Sequence, residues 1–336
     1  MGFLRDGAWR DDAGGFAADG RFERGESRFR DWITADGAPG PGGGSGFRAE
    51  SGRYHLYVSL ACPWAHRTLI FRTLKGLTPH ISIDVVLPQM ATDGWTFAAP
   101  AVGTTGDSLY GARFLRDIYV RADQRANGRV TVPVLWDRER ETIVSNESSE
   151  IIRMFNSAFD GVTGNSDDFW PAALRPQIEV VNARVYRGLN NGVYRAGFAS
   201  TQDAYDDAAH DVFATLDWLE ARIGAHRYLM GDCVTEADWR LVTTLLRFDA
   251  VYHGHFKCNR RRLVDYPALW DYARELYQWP GVAETVDFGQ IVRHYYTSHP
   301  SVNPSGVVPI GPAMDWSAPH GRRGGHGRED AVVREP

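Results

Sequence analysis

A chain of 336 residues, 43% of them hydrophobic and 11 of them Trp, is long enough for two cored domains and excludes wholesale disorder. Its 37 basic and 42 acidic residues leave a net charge of −5, which gives no global electrostatic case for nucleic acid and directs attention to small molecules or a second copy of the chain. No window approaches about 18 uninterrupted apolar residues, Met1–Asp6 lacks the basic and apolar regions of a secretory signal, and Cys62, Cys233 and Cys258 are too few and too scattered for a disulfide framework, so a soluble protein of a reducing, cytoplasmic compartment is expected.

Residues 1–46 read as an N-terminal extension in which Trp9, Phe16, Phe22, Phe29 and Trp32 are expected to pack over a domain edge, ending in a mobile Gly-rich loop from Gly37 to Gly46. From 47 to 160 the pattern is that of an α/β layer. Tyr54–Ser59 alternates as a strand, Ala65–Leu77 carries Ala65, Leu69, Ile70 and Leu74 on one helical face, and Ile81–Leu87 is a second strand. The segment Pro88–Gly128 is long and irregular, and a connection of that length either binds something or hides short helices. Strands Thr131–Trp136 and Thr142–Val144 and a helix Ser148–Phe155 complete a βαβ–ββα order of thioredoxin type.

Beyond Asp168 the period becomes helical, with helices predicted over Pro171–Gly188, Thr201–Ile223, Glu236–Ala250 and Pro267–Tyr277, an all-α domain spanning 168–312. Thr235 with Asp238 three residues on predicts a capping box. Residues 313–336, rich in Gly, Arg and His, are expected to be disordered, and their His spacing is too irregular to argue for metal.

The chemistry concentrates at Cys62, which falls between a strand and a helix whose first turn holds Pro63. A helix N-terminus offers unpaired N–H groups and partial positive charge, which favour thiolate over thiol and can lower a pKa of about 8.5 to well below neutrality. The competing reading is a buried, inert cysteine. A dithiol oxidoreductase would place a second cysteine three positions on, where Ala65 stands, so a mixed disulfide on Cys62 would have to be resolved by a thiol from solution, for which glutathione is the obvious candidate.

Three segments, Cys62–Arg67, Asn191–Ala199 and His294–Pro304, together with the Val132–Pro133 strand and Glu147–Ser148 at a helix start, resemble the glutathione transferases, and more narrowly their Xi class, the glutathionyl-hydroquinone reductases. The resemblance covers roughly residues 29–312. It implies a thioredoxin-like glutathione-binding domain, an all-helical second domain and a homodimer formed through the latter. It further implies transfer of glutathione from a glutathionyl-hydroquinone to Cys62 and on to a second glutathione, with no metal. Tyr194 and Tyr295, with Tyr296 as the adjacent choice, are the expected phenolic donors to the departing aromatic oxygen. Glutathione contacts are expected from Trp95, Arg129, Val132, Pro133, Glu147 and Ser148: the backbone before a cis-proline would pair with the peptide, Ser148 would hold the γ-glutamyl carboxylate and Glu147 its ammonium. Trp64 would line the aromatic pocket, and Cys233 and Cys258 are expected to be bystanders. Two other readings stay open: an omega-like thioltransferase or dehydroascorbate reductase, which would not depend on Tyr194, and a non-catalytic binding module whose Cys62 is unreactive toward glutathione disulfide.

Overall fold

A computed structural model describes residues 2–11, 19–97, 103–322 and 331–334. Two compact units are present, one drawn from Met1–Gly14, Gly25–Asn165 and Thr285–Ser298, the other from Gly15–Arg24, Ser166–Glu284 and His299–Pro336.

In the first unit, the hairpin strands β1 (Phe3–Arg5) and β2 (Ala8–Arg10) pair antiparallel, and β3 (Trp32–Thr34) pairs parallel with β4 (Gly46–Arg48). The Gly-rich loop that joins β3 to β4 is closed by its own hydrogen bonds, among them Thr34 to the Ala38 carbonyl at 2.9 Å and the Gly43 amide to Gly40 at 2.9 Å. A Cβ on Gly46 would meet the Gly37 carbonyl at 2.2 Å, which accounts for a glycine where the loop turns back on itself. Of the N-terminal aromatics, Trp9 donates to Thr92 O at 3.0 Å and Phe29 meets Tyr119 edge-on in this unit, Phe22 is buried in the other, and Phe16 lies outside the described residues.

The main sheet follows. Strand β5 (Tyr54–Val58) leads into helix α1 (Pro63–Leu74) and returns through β6 (Ser82–Val85), parallel to β5 as a helical crossover allows. Helix α2 (Leu115–Ala122) lies within the segment read as irregular, one of the two outcomes its length suggested. Strands β7 (Val134–Asp137) and β8 (Thr142–Ser145) then add antiparallel, giving the order β6-β5-β7-β8, and helix α3 (Ser148–Ser157) packs beside α1. Strand β5 is buried throughout, paired on one edge with β6 and on the other with β7. The strand expected from Thr131 starts instead at Val134, just after Pro133, which has no N–H to give the ladder. A short helix α4 (Asp160–Thr163) closes this part of the chain.

Among its described residues the second unit is helical apart from one strand pair, β9 (Asp167–Asp168) with β10 (Val333–Arg334). Helices α5 (Arg175–Val185), α6 (Gly192–Gly197), α7 (Gln202–Ala225), α8 (Glu236–Arg247) and α9 (Pro267–Tyr277) build its core. The two helices predicted to reach Gly188 and Ala250 end earlier as α-helix and widen into π-helical turns, Tyr186–Asn190 and Phe248–Tyr252. The capping box forms: the Asp238 carboxylate accepts from the Thr235 amide at 2.8 Å, and also from the Leu229 amide at 2.9 Å and the Tyr272 hydroxyl at 2.8 Å. Since Asp238 is fully buried and also accepts from the Thr235 hydroxyl at 3.1 Å, Asp238→Ala strands four buried donors. It is expected to cost about 3 kcal/mol, read as a lower urea midpoint at unchanged slope.

Two expectations are corrected. The described part of the tail is ordered where it carries an apolar or pairing residue: Trp316 is buried against Trp270, ring centroids 4.8 Å apart, and Val333–Arg334 forms β10, while 323–330 and 335–336 lie outside the described residues. Helix α10 (Phe288–Ser298), placed by sequence within 168–312, belongs with the first unit, because Gln290 donates to Gly103 O at 2.7 Å, His294 to Pro88 O at 2.7 Å, and Ser298 accepts from the Met90 amide at 2.9 Å. Among the described residues no helix is long and apolar enough to cross a membrane.

Candidate active site

Cys62 is the N-cap of α1, in extended conformation at φ −78°, ψ 123°, with Pro63 at the first helical position and its carbonyl accepting from the His66 amide at 3.0 Å. The strand supplies the rigid approach, the proline pre-sets the first helical φ, and the thiol is left at the positive end of a 12-residue helix. Its Sγ donates to the carbonyl of Val132, 3.6 Å away, so the nucleophile candidate faces the backbone immediately before the cis-proline. Cys62 is 9% exposed. Burial pushes the Cys258 thiol up to about 12 and raises that of Cys233, so neither is a competing thiolate near neutrality.

Glu147 caps α3. Its carboxylate accepts from the Ser149 amide at 3.0 Å, the Ser149 hydroxyl at 2.8 Å and the Ser27 hydroxyl at 2.9 Å, and Ser148 is buried at the first helical position. Burial pushes the Glu147 carboxyl up, but these hydrogen bonds and the Arg67 charge outweigh it and hold the group below its ordinary value. A carboxylate has about four acceptor sites, so Glu147 keeps capacity for a further donor. A group with a depressed folded-state pKa contributes stability above its unfolded pKa and loses it as pH falls through the folded one. Glu147→Gln is therefore expected to cost about 1 kcal/mol at neutral pH, with the variant and wild type converging as pH drops through the acidic range in denaturant titrations.

Arg67, which sequence reasoning quoted only as the end of a motif, is buried with its guanidinium 4.6 Å over the ring of half-buried Trp64. His66, also in that motif, is within 2.8 Å of Thr285, which leads into α10. On α10, His294 stacks on Trp95, centroids 5.0 Å apart and planes at 18°. A carbonyl can only accept, so the His294 bond to Pro88 puts a proton on Nδ1. Tyr295 is fully buried and meets His294 edge-on at 5.1 Å, whereas Tyr296, one residue round the helix, is half-buried. Cys62 and Val132–Pro133 thus come together, as do Trp95 and Tyr295 through His294, and Arg129 is half-buried. Ser27 and His294 are site neighbours that sequence reasoning missed. Ser27 carries no local signal, while His294 opens a segment already singled out.

Tyr194 belongs to the second unit, on α6. It is buried in an aromatic box of Phe198, Tyr252 and Phe256, and a Cβ on Gly197 would meet the Phe256 ring at 2.1 Å, so glycine at 197 lets that ring close against the helix. Among the described residues, no cluster of three or more His, Cys, Asp or Glu could hold a metal ion.

The glutathione S-transferase N-terminal domain model matches residues 61–158 and the corresponding C-terminal domain model matches 202–275. The chain is 55% identical over 323 residues to glutathionyl-hydroquinone reductase YqjG of Escherichia coli, covering 96% of this chain and 98% of that protein. It is 52% identical over 317 residues to glutathionyl-hydroquinone reductase PcpF of Sphingobium chlorophenolicum, covering 94% and 97%. The glutathione-bound structure of the E. coli protein superposes with a TM-score of 0.89 over 96% of this chain and 99% of that one.

Proposed function

This chain belongs to the glutathione S-transferase family, in its Xi class of glutathionyl-hydroquinone reductases, and on that premise we propose that it reduces glutathionyl-hydroquinones to hydroquinones at the expense of glutathione. The observation that carries the reading is the Cys62 thiol at the α1 N-terminus, 3.6 Å from the carbonyl that precedes a cis-proline.

The aromatic thioether is a poor electrophile at sulfur because carbon leaves badly. Moving a hydroxyl proton onto the sulfur-bearing ring carbon first converts the hydroquinone to its keto tautomer; the Cys62 thiolate then attacks the glutathionyl sulfur, the carbon–sulfur bond breaks, and its electron pair restores the aromatic ring and passes to the former carbonyl oxygen, which takes up a proton as the hydroquinone re-forms. A phenol that hydrogen-bonds or protonates that oxygen lowers the barrier. We assign this to Tyr194 and to Tyr295, the buried member of the adjacent pair, with Tyr296 as the alternative. A second glutathione thiolate attacks the Cys62 mixed disulfide, releasing oxidised glutathione and restoring the Cys62 thiolate. Glutathione is held by the backbone at Val132 ahead of Pro133, by Ser148 and the α3 N-terminus at its γ-glutamyl carboxylate, by Glu147 at its ammonium, and by Trp95 and Arg129 along its length. Trp64, under the Arg67 guanidinium, lines the aromatic side of the pocket.

We assign the protein to the cytoplasm and to a homodimer formed through its helical unit, where Val307 and Ile310 present apolar side chains to solvent. Sedimentation at micromolar concentration reads this directly, a single monomeric species being the contrary result. The activity itself is tested by incubating the protein with a glutathionyl-hydroquinone and glutathione. Equal amounts of hydroquinone and oxidised glutathione are expected by chromatography; conjugate left intact would contradict the assignment.

A further inference from the structure

The N-terminal extension delivers an arginine to the proposed acid. Phe22 is buried against Phe198, ring centroids 5.2 Å apart, and two residues later the Arg24 guanidinium lies 4.8 Å over the centre of the Tyr194 ring. Asn191 fixes both partners: its side-chain oxygen accepts from Arg24 Nε at 2.9 Å, and its backbone carbonyl accepts from the Tyr194 amide at 3.1 Å. Titratable groups near this ring among the described residues include Tyr252, at 5.9 Å between centroids, and, behind Phe256, the buried pair His255 and His299, whose ring nitrogens are 3.2 Å apart. Arg195, next in sequence, points its charge at Asp211, 2.9 Å away.

We propose that Arg24 is a positioning residue that strengthens Tyr194 as a hydrogen-bond donor during carbon–sulfur cleavage; this rests on the assignment of Tyr194 given above. The physical reason is direct. As a phenol gives up its proton toward a developing oxyanion, negative charge spreads into the ring, and a cation seated on the ring face stabilises that charge more than it stabilises the neutral phenol. The cation therefore lowers the Tyr194 pKa and raises its donor strength. The planar guanidinium suits the ring face and cannot lose its charge at working pH. Tyr194 must be protonated to act, so activity falls as pH rises through its pKa.

Arg24→Gln is expected to lower kcat roughly three- to tenfold with little change in KM for glutathione, and to move the basic limb of the kcat profile to higher pH. Arg24→Lys, which keeps the charge, should recover part of both. The decisive comparison is the double variant with Tyr194→Phe, where removing Arg24 should cost nothing further. An equal loss in the Tyr194→Phe background, or a basic limb that does not move, would show Arg24 to be a structural clamp and overturn the inference. If Tyr194→Phe alone turned over like wild type, the parent assignment would fall and the inference with it.

Discussion

Cys62→Ala is expected to abolish hydroquinone release, lowering turnover by about a thousandfold or more and leaving only the uncatalysed attack of glutathione on its own conjugate. The loss should be that large because the alternative nucleophiles are disabled by the fold. Cys258 is held near 12 by burial and Cys233 is shifted the same way, so neither offers thiolate at neutral pH. Cys62→Ser should fare no better, since a hydroxyl at a helix N-terminus remains far from ionised. Binding of glutathione, read by calorimetry, should survive in both variants, because Val132, Glu147 and Ser148 are untouched. Two results would redirect the assignment. Full activity in Cys62→Ala would remove the thiol from the chemistry. Ready formation of a Cys62–glutathione disulfide from oxidised glutathione, without any release of hydroquinone, would favour the omega-like thioltransferase reading.

The second large effect is expected at the phenols. Tyr194→Phe should lower kcat about a hundredfold, the usual loss for one well-placed donor to a developing oxyanion, with little change in KM for glutathione. The loss should grow as the hydroquinone oxygen becomes less acidic, because the donor then contributes more to expelling it. Release of glutathione from a preformed Cys62 mixed disulfide involves no aromatic oxygen and should be unchanged, which separates a chemical role from a disturbed fold. Tyr295→Phe should behave alike, and Tyr296→Phe should be nearly silent. The reverse order at 295 and 296 would hand the role to the half-buried neighbour. A uniform loss in both half-reactions at Tyr194→Phe would count against its role as donor.

Much of this was legible in the chain because it is local. A strand, a cysteine, a proline and an amphipathic helix follow one another within about two dozen residues, and the backbone realises that order: β5, the Cys62 cap and α1. Thr235 and Asp238 likewise sit within one turn and form the box they advertise. What escaped depends on distance or on weak local signal. Helix α6 is six residues long with a glycine at each end, too short to show a period, and α10 follows an irregular stretch, so its allegiance to the first unit is set by contacts with Pro88, Met90 and Gly103, about two hundred residues earlier. The π-helical turns at Tyr186–Asn190 and Phe248–Tyr252 keep the helical period while changing the hydrogen bonds, so both helices read longer than they are. Ser27 on Glu147 and Arg24 over Tyr194 are pairings across more than a hundred residues, which periodicity cannot signal.

The chemistry is tested most directly by a single turnover. Excess protein is mixed with a glutathionyl-hydroquinone in the absence of glutathione, quenched in acid, and examined by mass spectrometry of the intact chain and of its Cys62 peptide. Hydroquinone released in equal amount to a glutathione adduct on Cys62, with turnover stopping there until glutathione is added, is the expected result. Hydroquinone appearing only after glutathione is supplied, with Cys62 unmodified throughout, would mean that glutathione attacks the conjugate directly and that Cys62 is not the nucleophile.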